Sequence, residues 1–507
     1  MVSTQVPEFY PALFDEVETP AGRVRGIVNQ GVRIFRGLPF GEPTGGAARF
    51  RPPAARAAWA GTRDCFGPGP VAPQVPTPVS NVYGRLIQFD RVPADGGIDE
   101  DCLTLNVYAP AEPGLPRPVL VVIHGGGFAI GSANSPLYDG TLMAWQHDVV
   151  VVSINHRLGA FGFLALEGEE HAGSHVAGLS DLVLGLEWVR DGIAAFGGDP
   201  ARVTLIGQSG GGWKISALLA MPGARGLFHR AVVQSGSWTA FPDRDAALGL
   251  GHALLGEFGL GPGQGSLLAQ VDMAHLLAAA ARIGALAFIP SLDEDLLPWQ
   301  PDDPRALALS ADVPAIISTT REDAGLFYPQ FAMDEDELDS MLAARFGEDA
   351  GALRAHYRPL GATPYLAWAR VVTDGGFRRM ARAQADARAR AGAPTWTYRW
   401  DWPCPAWTGR FGAAHAMDVP ASLARPEDVL LGGAGPDAVR LTADHSAMIA
   451  GFAARGTPGG PHAAIWQRHD AETRACLVVN AETTLAHDPD GAMRAWWDAQ
   501  PMPAGVA

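Results

Sequence analysis

The apolar positions of this 507-residue chain gather into short, unbroken runs. Val119-Leu120-Val121-Val122-Ile123, Val149-Val150-Val151-Val152-Ser153-Ile154 and Val203-Thr204-Leu205-Ile206 are three of them. Ala231-Val232-Val233-Gln234, Val313-Pro314-Ala315-Ile316-Ile317 and Thr395-Trp396-Thr397-Tyr398-Arg399-Trp400 continue the series. Such runs are too short for helices and rich in β-branched or aromatic residues, so they predict strands buried on both faces. Between them, Leu179 to Phe196 and Gly210 to Met221 carry helical spacing. Alternation of this kind predicts an α/β architecture with a mostly parallel central sheet flanked by helices. Residues 17–40 hold shorter β runs broken at Gly22 and Gly31, as in an antiparallel entry hairpin within an N-terminal β region of about 16–60. Residues 66–97 are rich in Pro and Gly and predict a long loop. Residues 239–310 and 328–394 are helix-like and interrupt the strand series, so they are expected as helical cap insertions above the sheet's C-terminal edge. The stretch from Met273 to Pro290 is the most apolar but contains His275 and Arg282; it predicts a buried helix and no membrane span. The expectation is one large domain, 1–507.

Composition narrows the partners. A net charge of −16 argues against nucleic acid and against an anionic membrane surface. The four cysteines form no Cys-x-x-Cys and the histidines no His-Glu-x-x-His, so no metal site and no cofactor are expected. The N-terminal residues lack a basic segment followed by an apolar core, which gives no signal peptide and points to a cytoplasmic protein. Nothing in the sequence fixes the oligomeric state. The 38 basic residues include a single lysine, Lys214.

The chemistry enters at Gly207-Gln208-Ser209-Gly210-Gly211, between the 203–206 run and a helical stretch. A strand that turns sharply into a helix needs residues without side chains around the turn, and holds the serine between them with its oxygen exposed. The helix that begins there turns free N–H groups and the positive end of its dipole toward an anion. Upstream, the 119–123 run leads straight into His124-Gly125-Gly126-Gly127-Phe128. Glycines let backbone N–H groups approach a developing oxyanion, and no Gly-Lys-Ser/Thr follows to suggest a phosphate cradle. His124 itself reads as a structural neighbour. Lys214 lies five positions after Ser209, about 500° around a helix, and is not at the spacing of a Ser-x-x-Lys base.

A serine hydroxyl needs a base, and the base an orienting acid. The order serine, acid, histidine places the acid after the 313–317 run, at Arg321-Glu322-Asp323-Ala324. The histidine falls after the 395–400 run, at Gly412-Ala413-Ala414-His415. Position alone leaves Glu322 and Asp323 as alternatives.

Ordered blocks from about residue 16 to 490 carry a resemblance. They include Phe35-Arg36-Gly37-Leu38-Pro39-Phe40, Glu100-Asp101-Cys102-Leu103-Thr104-Leu105-Asn106-Val107, Asn155-His156-Arg157-Leu158-Gly159, Phe196-Gly197-Gly198-Asp199-Pro200 and Gln234-Ser235-Gly236-Ser237. With the two glycine motifs they resemble the type B carboxylesterases, the cholinesterase-like branch of the α/β-hydrolase fold. The resemblance implies a serine esterase with an acyl-enzyme intermediate and a small-molecule ester as partner; an amide or carbamate hydrolase with the same triad is the alternative. It implies Ser209 as nucleophile, His415 as base, and an oxyanion hole from the N–H groups of Gly126, Gly127 and Gly210. Aligned without a gap, Asp323 falls on the acid position, where the family usually has Glu, and Glu322 stays open. Arg49 and Glu100 match a structural ion pair, and Cys65 and Cys102 match a disulfide of secreted members. Without an export signal, reduced thiols are expected here. The 66–101 loop has no Trp to hold a quaternary ammonium, so a choline ester is not expected. Phe128, Trp213, Trp238 and Phe327 are the aromatic candidates for the substrate pocket.

Overall fold

The computed structural model describes residues 13–75, 97–284, 286–327, 329–433 and 435–501. Most of the predicted loop at 66–97 therefore lies outside the described residues. The strands are β1 (Phe14–Thr19), β2 (Gly22–Asn29), β3 (Val32–Pro39), β4 (Thr62–Asp64), β5 (Thr104–Pro110), β6 (Arg117–Ile123) and β7 (Val150–Ile154). They continue as β8 (Gly198–Gln208), β9 (Arg230–Gln234), β10 (Ala315–Thr320), β11 (Thr395–Trp400), β12 (Ala475–Val479) and β13 (Thr484–His487). One sheet runs β1-β2-β3-β5-β7-β6-β8-β9-β10-β11-β12-β13, with β4 beside β2. Pairing is parallel from β7 to β12 and antiparallel along the rest of that order, while β4 pairs with β2 in parallel.

The central strands are buried throughout because each face meets a separate apolar layer. Val119, Val121 and Ile123 point into one core with Leu182 and Leu186 of the helix Ala177–Gly192 and with Ile215 of the helix Gly210–Leu218. Leu120 and Val122 point into the other, with Leu441, Ile449 and Phe452 of the helix Pro436–Arg455. The two-residue period of a strand divides one apolar run between two layers. A third cluster gathers Leu338, Leu342, Leu353 and Tyr357 under Trp497 of the C-terminal helix Gly491–Ala499.

Register brings the strand ends level. Ile123 pairs with Gly207, Gln208 with Gln234, and Thr320 with Trp400. The segments that leave β6, β8, β10 and β11 thus emerge side by side on the C-terminal edge of the sheet, where open α/β sheets carry their sites.

Three elements differ from expectation. β10 begins at Ala315, past Pro314, which has no N–H for the ladder. β5 was not predicted, because Thr104 and Asn106 break its apolar run; its burial is complete because the Asn106 amide donates to Ala133 O at 3.1 Å and to Ser153 Oγ at 3.2 Å. The apolar stretch from Met273 gives the helix Met273–Gly284, but only Leu276, Ala279 and Ala280 are buried, and Leu286 beyond it is 69% exposed. It is a one-sided helix on the core, not a buried one. Among the described residues no helix is long and apolar enough to cross a membrane.

Candidate active site

Ser209 sits at the junction of β8 and the helix Gly210–Leu218 with φ 56° and ψ −125°, a backbone conformation that side chains resist. The sequence permits it by removing side chains around it. A Cβ on Gly207 would lie 2.5 Å from Gly211 C, and one on Gly211 would lie 2.1 Å from Ile123 O. The Ser209 N–H donates to Gln234 O at 2.8 Å, which anchors the turn to β9. The serine side is nearly buried, at 5% exposure.

The glycine loop after β6 closes over the same junction. Gly126 and Gly127 take φ of 92° and 64°. A Cβ on Gly210 would fall 2.4 Å from Gly127 N, so the Gly127 amide lies directly against the start of the helix. Among the described residues, the N–H groups of Gly126 and Gly127 have no protein acceptor, and that of Gly210 is one of the open donors of a helix N-terminus. Gly125 N donates instead to Tyr138 Oη at 2.7 Å. His124 lies outside this arrangement: its ring stacks on His156 at 4.6 Å, and burial holds it well below the ordinary histidine range.

His415 Nδ1 donates to Asp323 Oδ1 at 2.7 Å, with both side chains fully buried. Asp323 Oδ2 accepts from Thr320 N at 2.9 Å and from Ser235 Oγ at 2.8 Å. Of the two acids left open, Asp323 therefore meets the imidazole. Glu322 turns the other way and accepts from Arg321 Nε at 2.7 Å, Arg370 Nε at 2.8 Å and Ala413 N at 2.8 Å. No hydrogen bond joins Ser209 Oγ to the imidazole; His415 Nε2 is buried without a partner. Asp323 and His415 are thus joined, while Ser209 and His415 are not.

The aromatic candidates separate. Phe327 is 37% exposed and packs on His415, 4.9 Å between centroids, with Phe377 also on the imidazole at 5.0 Å. Trp213 is half-buried beside Gly127 and packs on Trp238 at 4.7 Å. Phe128 is a core residue at 1% exposure, edge-on to Phe163 at 5.1 Å.

Sequence reasoning missed several neighbours. Asp418, three residues after His415, is buried; its Oδ2 accepts from Tyr398 Oη at 2.7 Å and from Gln234 Nε2 at 3.0 Å, while its Oδ1 has no partner. Burial above all, with the Asp323 charge in the same direction, pushes its carboxyl up to about 6. Ser235, in the Gln234–Ser237 block, carries no signal of its contact with Asp323 in the sequence. Lys214, whose spacing excludes a Ser-x-x-Lys base, donates its amine to His124 O and Gly127 O behind the glycine loop. Arg49 and Glu100 do pair, with Nε to Oε1 at 2.7 Å, and Arg49 also donates to Leu268 O at 2.8 Å. Cys65 and Cys102 are both buried free thiols. No group of metal-holding side chains occurs among the described residues.

Known proteins share this fold and about a third of the sequence. The carboxylesterase family pattern matches residues 14–496. A para-nitrobenzyl esterase of Bacillus subtilis is 35% identical over 501 residues, covering 94% of this chain and 97% of its own. A phenmedipham hydrolase of Pseudarthrobacter oxydans is 36% identical over 489 residues, covering 92% and 94%. Among solved structures, a para-nitrobenzyl esterase superposes with TM-score 0.79 at 32% identity, over 95% of this chain and 99% of its own. A Geobacillus stearothermophilus carboxylesterase superposes with TM-score 0.82 at 33% identity, over 95% and 99%. The chain has the α/β-hydrolase fold of these enzymes. It belongs to the carboxylesterase family and is a serine hydrolase of carboxylic esters.

Proposed function

We propose that Ser209 is the nucleophile, His415 the general base and Asp323 the orienting acid of this esterase. The observation that carries the reading is the buried Asp323–His415 pair, whose second imidazole nitrogen has no partner, on the sheet edge where the strained serine turn emerges. In the reaction His415 Nε2 takes the Ser209 proton as Oγ attacks the ester carbonyl. Asp323 holds the imidazole by its Nδ1–H and balances the imidazolium charge. The carbonyl oxygen becomes an oxyanion that accepts from the N–H groups of Gly126, Gly127 and Gly210. The alcohol leaves with the proton from His415, and water then repeats the sequence on the acyl-enzyme. The missing contact between Ser209 and His415 fits an enzyme without substrate, because such bonds often tighten only in the reacting complex.

Trp213, Trp238 and Phe327 are proposed to line the substrate pocket, with Phe128 backing them from the core. We also read 1–507 as one catalytic domain in which segments 239–310 and 328–394 cap the site. Leu286, 3.4 Å from where a Gly127 Cβ would stand, and Phe377 on His415 support that placement. The four free thiols support a cytoplasmic setting. The phenmedipham hydrolase relative favours a second reading, carbamate hydrolysis by the same triad. A rate panel of matched aryl ester, carbamate and anilide substrates tests both: the ester should lead by kcat/KM. A carbamate that outruns its matched ester would make the second reading the primary one.

A further inference from the structure

Lys214 is the only lysine in the chain, and it is fully buried. No carboxylate pairs with it among the described residues. Its Nζ instead donates to Gly127 O at 2.8 Å and to His124 O at 3.2 Å, and lies 5.7 Å from the centre of the Phe128 ring. The two stacked imidazoles, His124 and His156, are the titratable groups nearby. Burial favours the neutral amine, whose pKa is pushed well below the ordinary lysine range. In either protonation state at least two N–H groups remain for the two carbonyls.

A buried amine without a counter-ion is costly, and nothing in ordinary core packing calls for one. The carbonyls it meets explain it. Every carbonyl from His124 to Phe128 is held on the protein side: Gly126 O accepts from Ile130 N at 3.1 Å and Phe128 O from Gly159 N at 2.7 Å. Gly125 O lies 2.9 Å from His124 Nδ1. Lys214 supplies the two remaining donors. The two peptide units they fix flank those that carry the Gly126 and Gly127 N–H groups, which have no protein acceptor among the described residues. Gly126 and Gly127 both have positive φ and no side chain to fix them, so without the bracket the loop can reorient.

We propose that Lys214 is the positioning residue of the oxyanion hole, holding the glycine loop by its His124 and Gly127 carbonyls so that the Gly126 and Gly127 amides stay aimed at the reacting oxygen. The proposal rests on Ser209 being the nucleophile. It predicts that the lysine acts on the transition state and not on substrate affinity, because the oxyanion exists only after attack.

The test uses Lys214→Met, which keeps the stem and removes the donors, and Lys214→Gln, which keeps an N–H donor at shorter reach. Active sites are first counted in each protein by stoichiometric organophosphate labelling, and the labelled residue is located by mass spectrometry. Label away from Ser209 in the wild type means that the nucleophile has been misassigned, which is separate from a failure of the lysine. Per titrated site, Lys214→Met should lose about 10- to 100-fold in kcat with KM within about twofold. The inhibition constant of an aryl trifluoromethyl ketone, whose hemiketal oxygen occupies the same hole, should rise by the same factor. Lys214→Gln should lie between Met and wild type on both scales, and serves alone if the Met variant does not fold. Unchanged kcat per site in the variant tested, or a loss of kcat with no matching loss of ketone affinity, would overturn the proposal.

Discussion

Glu322 and Asp323 are adjacent in the chain and hold two points of the histidine loop, two residues apart. Asp323 accepts the His415 Nδ1–H at 2.7 Å, while Glu322 accepts the Ala413 N–H at 2.8 Å and pairs with Arg370. One fixes the imidazole and the other fixes the backbone that carries it. A Cβ on Gly412 would lie 2.6 Å from Glu322 Oε2, so the glycine makes room for this second contact.

The two acids should therefore fail differently. Asp323→Asn should lower kcat by about 10⁴-fold, through loss of the imidazole's orientation and charge balance, with the melting temperature little changed. Glu322→Gln should instead cost about 2–3 kcal/mol of stability, because it leaves the partly buried guanidinium groups of Arg321 and Arg370 without their carboxylate. Its kcat should stay within about tenfold of wild type. Steady-state kinetics and denaturant unfolding on the two variants separate these effects.

Asp418 predicts a pH signature in stability. Its carboxyl titrates at about 6 in the folded chain against an ordinary 3.8. Between those values the folded state binds more protons than the unfolded state, so stability falls as pH rises through the window and levels off above it. The full gap is worth about 3 kcal/mol. Asp418→Asn, which cannot ionise, should match wild type near pH 4 and exceed it by up to that amount at pH 7 to 8. Urea unfolding at both pH values measures it; an equal difference at the two would contradict the assignment.

The thiols give a chemical check. All four cysteines are free, and burial pushes Cys65 up to about 12 and Cys404 up to about 11. Native protein should react slowly with a thiol reagent, since thiolate is scarce and access is poor. Unfolded without reductant, it should release four titratable thiols. A count of two would mean that one disulfide is present and that these cysteines are not all free.

Phe327 is exposed and lies on His415. Phe327→Ala should raise KM for aryl esters several-fold while leaving kcat for a short acetate ester within about threefold, because it removes contact area and no proton-transfer group.

The chain announced its central strands because each is buried on both faces, so the run Val119–Ile123 of β6 must be compatible with an apolar core at every position. It announced Ser209 and His415 because sharp turns demand glycines and a fixed order of loops. β5 stayed hidden behind Asn106, whose polarity is answered by partners 27 to 69 positions away, Gly37, Ala133, Asn134 and Ser153. The choice between Glu322 and Asp323 depended on the direction of side chains in a single turn, which spacing does not encode. Lys214 was invisible as a loop clamp for the same reason: its acceptor Gly127 is 87 residues upstream and meets it only across the sheet edge.

Whether Ser209 Oγ forms the acyl-enzyme is decided by the turnover of p-nitrophenyl acetate by Ser209→Ala, with the fold verified by circular dichroism. A folded protein whose kcat/KM has dropped by at least about 10⁴-fold is expected. A folded alanine variant that keeps a substantial share of wild-type turnover would place the chemistry elsewhere.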